Sequence, residues 1–127
     1  MSANVRVGSI LIRCFEWDRM YAFWRAALHY VPREEPDTDD WVVLTDPAGC
    51  GPNISLERVP HRRRGTRSRL HLDLYTTEQE QEVERLVGLG ASRYPWRYPP
   101  GADYVVLADP DDNLFCVVHT QEWADRP

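Results

Sequence analysis

The sequence predicts an α+β fold of two tandem βαβββ units, forming a cup-shaped mixed β-sheet with helices outside. Three observations predict it. Trp41-Val42-Val43-Leu44-Thr45-Asp46-Pro47 returns as Tyr104-Val105-Val106-Leu107-Ala108-Asp109-Pro110, with five of seven positions identical and an aromatic first in both. Ile10-Leu11-Ile12 precedes a helical pattern, and Leu70-His71-Leu72 precedes another 60 residues later. Asn53 and Asn113 each lead an apolar, strand-like run. Repetition with the elements in one order marks two copies of a single supersecondary unit.

Each element has its own signal. Val7 to Cys14 is rich in β-formers, and Asp18 stands where it can cap a helix running to about Leu28. Met20, Phe23, Trp24, Ala27 and Leu28 fall at helical spacing and give that helix one apolar face. Ser68 to Tyr75 alternates Leu70, Leu72 and Leu74 against His71, Asp73 and Tyr75, the pattern of a half-buried strand. Thr77 followed by Glu80 reads as a capping box. Val83, Leu86 and Val87 supply the second stripe, and Gly90 stands where a left-handed residue ends a helix. Three short strands should follow each helix. In the first half they are about 30–33, 41–45 and 53–59; in the second, about 92–96, 104–108 and 114–119. The chain thus reads as one domain over 1–127, with units at 6–59 and 68–119, a connector at 60–67 and a tail at 120–127.

A single helix covers one face of a four-stranded sheet. Two such units, set edge to edge, should turn their uncovered faces toward a common hollow, a natural place for a small ligand.

Composition narrows the function. The net charge of −5 argues against nucleic acid as a partner, because such domains carry a basic face for phosphates. The basic run Arg62-Arg63-Arg64, with Arg67 and Arg69, lies beside Pro60 and Gly65 and reads as a solvated connector. No apolar run is long enough to span a membrane, and Met1 to Asn4 lacks the pattern of a secretory signal. Cys14, Cys50 and Cys116 are odd in number and without CxxC spacing, which suits reduced thiols in the cytoplasm. There is no glycine-rich phosphate loop, and no Ser-His-Asp or Cys-His nucleophile is legible in the spacing.

Several stretches, in order and at matching distances, resemble a known family. They are Phe23-Trp24, Leu56-Glu57-Arg58-Val59-Pro60, Arg69-Leu70-His71-Leu72-Asp73-Leu74, Leu89-Gly90-Ala91 and Asp109-Pro110-Asp111-Asp112-Asn113-Leu114-Phe115-Cys116. Covering about 6–119, they resemble the vicinal-oxygen-chelate superfamily of glyoxalases, bleomycin-resistance proteins and ring-cleaving dioxygenases. Within it, they look like the glyoxalase-like domains abundant in actinobacteria. The resemblance implies the cup, a small-molecule ligand and a homodimer. It leaves the activity open, since the superfamily holds lyases, isomerases, dioxygenases and proteins that only sequester drugs.

Metal enzymes of that superfamily place a His or Glu ligand on the first and last strand of each unit. Carried over residue by residue, those positions fall on Leu11, Glu57, His71 and Cys116. Leucine cannot ligate, so the expectation is a metal-free binding protein. The alternatives are a metal-dependent lyase or isomerase holding a divalent ion with His71 and Glu57, and a metal-free enzyme with His71 as the acid–base group.

Alternation places His71 with Asp73 on one side of their strand, and Ser55 with Glu57 on one side of theirs. Asp73 has a second reading, an ion pair with Arg13 across the two units. Five tryptophans give a second clue. Trp24 reads as helix core, Trp17 opens the first helix, and Trp123 lies in the tail. Trp41 and Tyr104 are repeat-equivalent and read either as matched core plugs or as ligand-facing aromatics. Trp96 sits in the proline-stiffened Tyr94-Pro95-Trp96-Arg97-Tyr98-Pro99-Pro100 and suits a flat, partly apolar ligand. The expected ligand-binding set is Trp41, Glu57, His71, Asp73, Trp96, Tyr104 and Cys116.

Overall fold

A computed structural model of the chain describes residues 7–35, 39–62 and 70–121. The chain divides into two compact units, Met1–Arg62 and Arg63–Pro127. The first contains β1 (Ser9–Cys14), α1 (Trp17–Leu28), β2 (Val31–Pro32), β3 (Trp41–Thr45) and β4 (Asn53–Arg58). The second contains β5 (Asp73–Thr76), α2 (Gln79–Leu89), β6 (Ser92–Arg93), β7 (Tyr104–Ala108) and β8 (Leu114–His119). The sheet orders are β1-β4-β3-β2 and β5-β8-β7-β6, with β1–β4 and β5–β8 parallel and the other pairs antiparallel. This is an α+β fold of two βαβββ units.

Helical periodicity sets the core of the first unit. Trp17, Met20, Phe23, Trp24 and Ala27 of α1 are buried, as are Cys14, Val42, Leu44, Ile54 and Leu56 from the three longer strands. The second unit buries Val83 and Leu86 of α2 with Leu107, Phe115 and Val117 of its sheet. Both helices end as the sequence suggests. His29 turns left-handed after α1 (φ 58°), and Gly90 takes φ 128° after α2.

The helix starts differ from expectation. Asp18 lies inside the first turn of α1, where its charge complements the helix dipole, and Glu16 occupies the cap position without a side-chain bond. The capping box at Thr77 and Glu80 does not form. Glu78 precedes the helix, and its N–H donates instead to the Thr76 hydroxyl at 3.0 Å.

Some strand ends also move. β5 starts only at Asp73, so Leu70 is 82% exposed rather than part of an apolar row. β6 stops at Arg93, although the Tyr94 N–H still donates to the Val106 carbonyl at 3.2 Å before the proline-rich stretch begins. Strands 41–45, 104–108 and 114–119 lie where the sequence places them.

The repeated Asp-Pro has a common physical cause. Asp46 accepts the N–H groups of Ala48, Cys50 and Gly51 at 2.9–3.1 Å. Asp109, 2% exposed, accepts those of Asp111 and Asn113 and the Asn113 side-chain amide at 2.9–3.0 Å. Each carboxylate organises the turn between two strands. Three residues beyond each Asp the chain turns left-handed, at Gly49 (φ 73°) and at Asp112 (φ 66°).

Register then sorts the side chains onto two faces. In the first unit Leu11 stands beside Ser55, Arg13 beside Glu57, and Trp41 across from Glu57. In the second unit Asp73 stands beside Cys116, Tyr75 beside Val118, and Tyr104 across from Val118. Since Trp41 corresponds to Tyr104, Glu57 corresponds to Val118 and Ser55 to Cys116. It follows that Leu11 matches Asp73 and Arg13 matches Tyr75. This corrects the sequence equivalences of Leu11 with His71, Arg13 with Asp73 and Glu57 with Cys116, which are two residues out.

Candidate functional site

The helix-free face of the second sheet gathers most of the chemistry-bearing side chains. Asp73 and Tyr75, two apart on β5, share a face, and His71, just before the strand, meets it through its contact with Asp73. Register adds Cys116 and Val118 from β8, then Tyr104 and Val106 from β7. His71 Nε2 lies 3.1 Å from Asp73 Oδ1, and both side chains are about half exposed. One donor atom each from His71, Asp73 and Cys116 lies within 4.8 Å of the other two. Burial, and secondarily the charge of Asp73, push the Cys116 thiol pKa upward.

Aromatic groups continue this face past β7. Trp96 Nε1 donates to the Tyr104 hydroxyl at 3.3 Å, and the Tyr98 and Tyr104 rings lie 5.5 Å apart. The Tyr98 hydroxyl accepts the Val106 N–H at 2.8 Å. That bond replaces the ladder partner lost when β6 stops short of the prolines.

The corresponding face of the first unit is different. The Ser9 and Ser55 hydroxyls are 2.6 Å apart, and Arg13 Nε donates to Glu57 Oε1 at 3.1 Å. Trp41 is 47% exposed, so it is not the core plug of the sequence reading. Within the first unit Arg13 is paired with Glu57, and within the second Asp73 is paired with His71. Of the expected set, the second unit holds His71, Asp73, Cys116, Trp96 and Tyr104, and the first holds Trp41 and Glu57.

The basic run is only partly described. Arg62 pairs with Glu16 at 3.2 Å and lies over the Phe15 ring at 4.9 Å. Arg63, Arg64, Arg67, Arg69 and Trp123 lie outside the described residues. Among the described residues, no helix is long and apolar enough to cross a membrane.

A family model described as the glyoxalase-like domain matches residues 9–118, nearly the whole of both units. The chain belongs to the glyoxalase-like domain family. No curated protein matches this glyoxalase-like domain. Solved structures share its fold. The fosfomycin resistance protein FosX from Listeria monocytogenes is 17% identical with a TM-score of 0.71, covering 95% of this chain and 94% of its own. A glyoxalase/bleomycin resistance protein/dioxygenase family enzyme from Burkholderia phytofirmans is 17% identical at TM-score 0.68, covering 90% and 98%. The bleomycin-binding protein of Streptomyces verticillus, solved with copper(II)-bleomycin, is 11% identical at TM-score 0.62, covering 94% and 100%. At such identities the likeness establishes fold.

The ligand set implied by the resemblance does not fit as a whole in this glyoxalase-like domain. Leu11 offers no donor, and Glu57 is engaged by Arg13. What fits is confined to the second unit, where Asp73 joins His71 and Cys116. The sequence reading undervalued Asp73 as a donor. The signal was present in the His71-Leu72-Asp73 spacing, which brings both side chains to one side of an extended segment. Tyr75, 53% exposed on that face, and Tyr98 were also passed over.

Proposed function

We propose that this glyoxalase-like domain is a small-molecule-binding protein whose ligand lies against the helix-free face of the second sheet. One observation carries the reading: a half-exposed acid–base pair, His71 with Asp73, shares that face with Cys116 and with the Tyr104–Trp96 pair. Polar groups at one end and aromatic rings at the other suit a flat, partly apolar molecule with a hydrogen-bonding head. Relatives of the same fold include a fosfomycin resistance protein and a bleomycin-binding protein, which makes small antibiotics and aromatic metabolites the first molecules to try. In this reading side chains alone hold the ligand, in a homodimer working in the cytoplasm.

A second reading, a metal-dependent lyase or isomerase, is favoured by the donor set His71, Asp73 and Cys116. A FosX structure that contains manganese(II) and a dihydroxypropylphosphonic acid belongs to this fold. Here His71 keeps the role the sequence gave it, and Asp73 with Cys116 takes the place of Glu57.

Native mass spectrometry of protein purified without chelator tests both readings. The expected result is an added small-molecule mass that falls in Asp73→Asn and Tyr104→Phe. Full occupancy in both variants contradicts the assignment to this face. The same spectrum reads bound metal and subunit number.

A further inference from the structure

We infer that the helix-free face of the second sheet takes an organic cation, an alkylated or aryl ammonium, whose head lies between Tyr75 and Tyr104 and near Asp73. The inference rests on the small-molecule reading above and adds to it the charge of the ligand. Strand register sets the geometry. Tyr75 and Tyr104 both pair with Val118, one from each side. Their backbones therefore lie two strand spacings, about 10 Å, apart, with Val118 as the floor between them. Side chains standing off the sheet keep that spacing. A cation midway is then about 5 Å from each ring, inside the roughly 6 Å reach of a cation–π contact. Asp73 belongs to the next row on the same face, with Cys116 and Val106, about 7 Å along the strands.

Charge on this face favours a cation. Among the described residues its strands carry one carboxylate, Asp73, and no arginine, and the chain has no lysine. Arg93 pairs with Leu107, in the alternate row that points to the other face. Cys116 supplies no positive charge, and burial, then the charge of Asp73, raise its thiol pKa. His71 Nε2 contacts one carboxylate oxygen at 3.1 Å, and a carboxylate offers about four acceptor sites. The Asp73 side chain, 47% exposed, thus keeps acceptor capacity for an ammonium group. The rings have their polar ends engaged by the protein. Trp96 Nε1 donates to the Tyr104 hydroxyl, and the Tyr98 hydroxyl accepts the Val106 N–H. What remains for a ligand is the electron-rich ring faces, which attract positive charge.

The test titrates the whole chain with phenyltrimethylammonium, benzamide and benzoate, followed by backbone-amide NMR. The expected result is saturable shifts at Asp73, Tyr75, Tyr104 and Val118, with the cation bound about tenfold more tightly than benzoate. Asp73→Asn weakens the cation about fivefold, the upper range for an exposed ion pair, and does not weaken benzoate. Tyr75→Leu weakens the cation about two- to fivefold, the size of an exposed cation–π contact. Glu84→Gln, which removes an exposed charge from α2, changes neither and so separates local charge from net charge. Benzoate or benzamide binding as tightly as the cation at these amides overturns the inference and leaves the small-molecule reading standing. A cation preference that survives Asp73→Asn overturns it equally. So does a benzoate preference lost on Arg97→Gln, at the exposed arginine between Trp96 and Tyr98. Absent saturable shifts with all three probes overturn the inference too, and native mass spectrometry then decides the small-molecule reading separately. If Asp73→Asn does not fold, Tyr75→Leu decides: unchanged cation affinity in that variant overturns the inference.

Discussion

Asp73 stands directly beside Cys116 across the parallel pair of β5 and β8, and its charge adds to burial in raising the thiol pKa. A raised pKa keeps the sulfur protonated at neutral pH, so in the metal-free chain it is a weak nucleophile. Asp73→Asn removes the second cause and leaves the first. The midpoint of the pH–rate profile for iodoacetamide alkylation of Cys116 should therefore move down, measured by peptide mass against exposed Cys50. An unmoved midpoint would show that the two groups do not interact.

Asp109 supports the turn before β8 from a buried position. Replacing it with Ala strips three donors of their common acceptor, and buried N–H groups left unpaired are costly. The expected loss is about 3 kcal/mol of unfolding free energy in a urea titration. Asp112→Ala, at the exposed left-handed residue of the same turn, should cost clearly less. Equal losses would contradict the role given to the Asp109 carboxylate.

Asp46 organises the matching turn, and its pKa is lowered chiefly by the Ala48 N–H, with Gly51 and Cys50 adding to it against a desolvation penalty. A carboxyl whose folded pKa lies below its unfolded value contributes stability above the unfolded pKa, near 4. That contribution is lost as pH falls through the folded value. Asp46→Asn should flatten the fall in melting temperature below about pH 4. An acid limb identical to that of the parent would exclude the linkage.

Tyr98→Phe leaves the Val106 N–H without its acceptor while preserving the ring beside Tyr104. A buried amide deprived of its partner costs about 1–2 kcal/mol. Hydrogen exchange at Val106 should accelerate by about tenfold or more while β8 amides change little. Unchanged protection would mean that the hydroxyl does not complete the strand edge.

The fold was legible because the repeat states each element twice. Strands 41–45 and 104–108 were read to the residue, since an apolar run opened by an aromatic residue and closed by Asp-Pro has both ends marked. Helix starts were not, because a Ser, Thr or Asp near the first turn is common and only geometry shows whether its side chain reaches back. Asp18 and Thr77 do not. The equivalence between units failed by two residues for a related reason. The Asp46 turn reaches Asn53 through three more residues than Asp109 needs to reach Asn113, so aligning by motif order lost the register that strand pairing restores. Strand pairing, which the sequence alone does not show, places Asp73 beside Cys116.

The most direct test of the central claim is where a ligand lands. Backbone-amide NMR spectra of the whole chain can be titrated with fosfomycin, bleomycin and a panel of flat aromatic acids. Binding at the proposed face predicts saturable shifts at Asp73, Tyr75, Tyr104, Val106, Cys116 and Val118, abolished in Asp73→Asn or Tyr104→Phe. Shifts that cluster instead around Arg13, Trp41 and Glu57, or that persist unchanged in both variants, would contradict it.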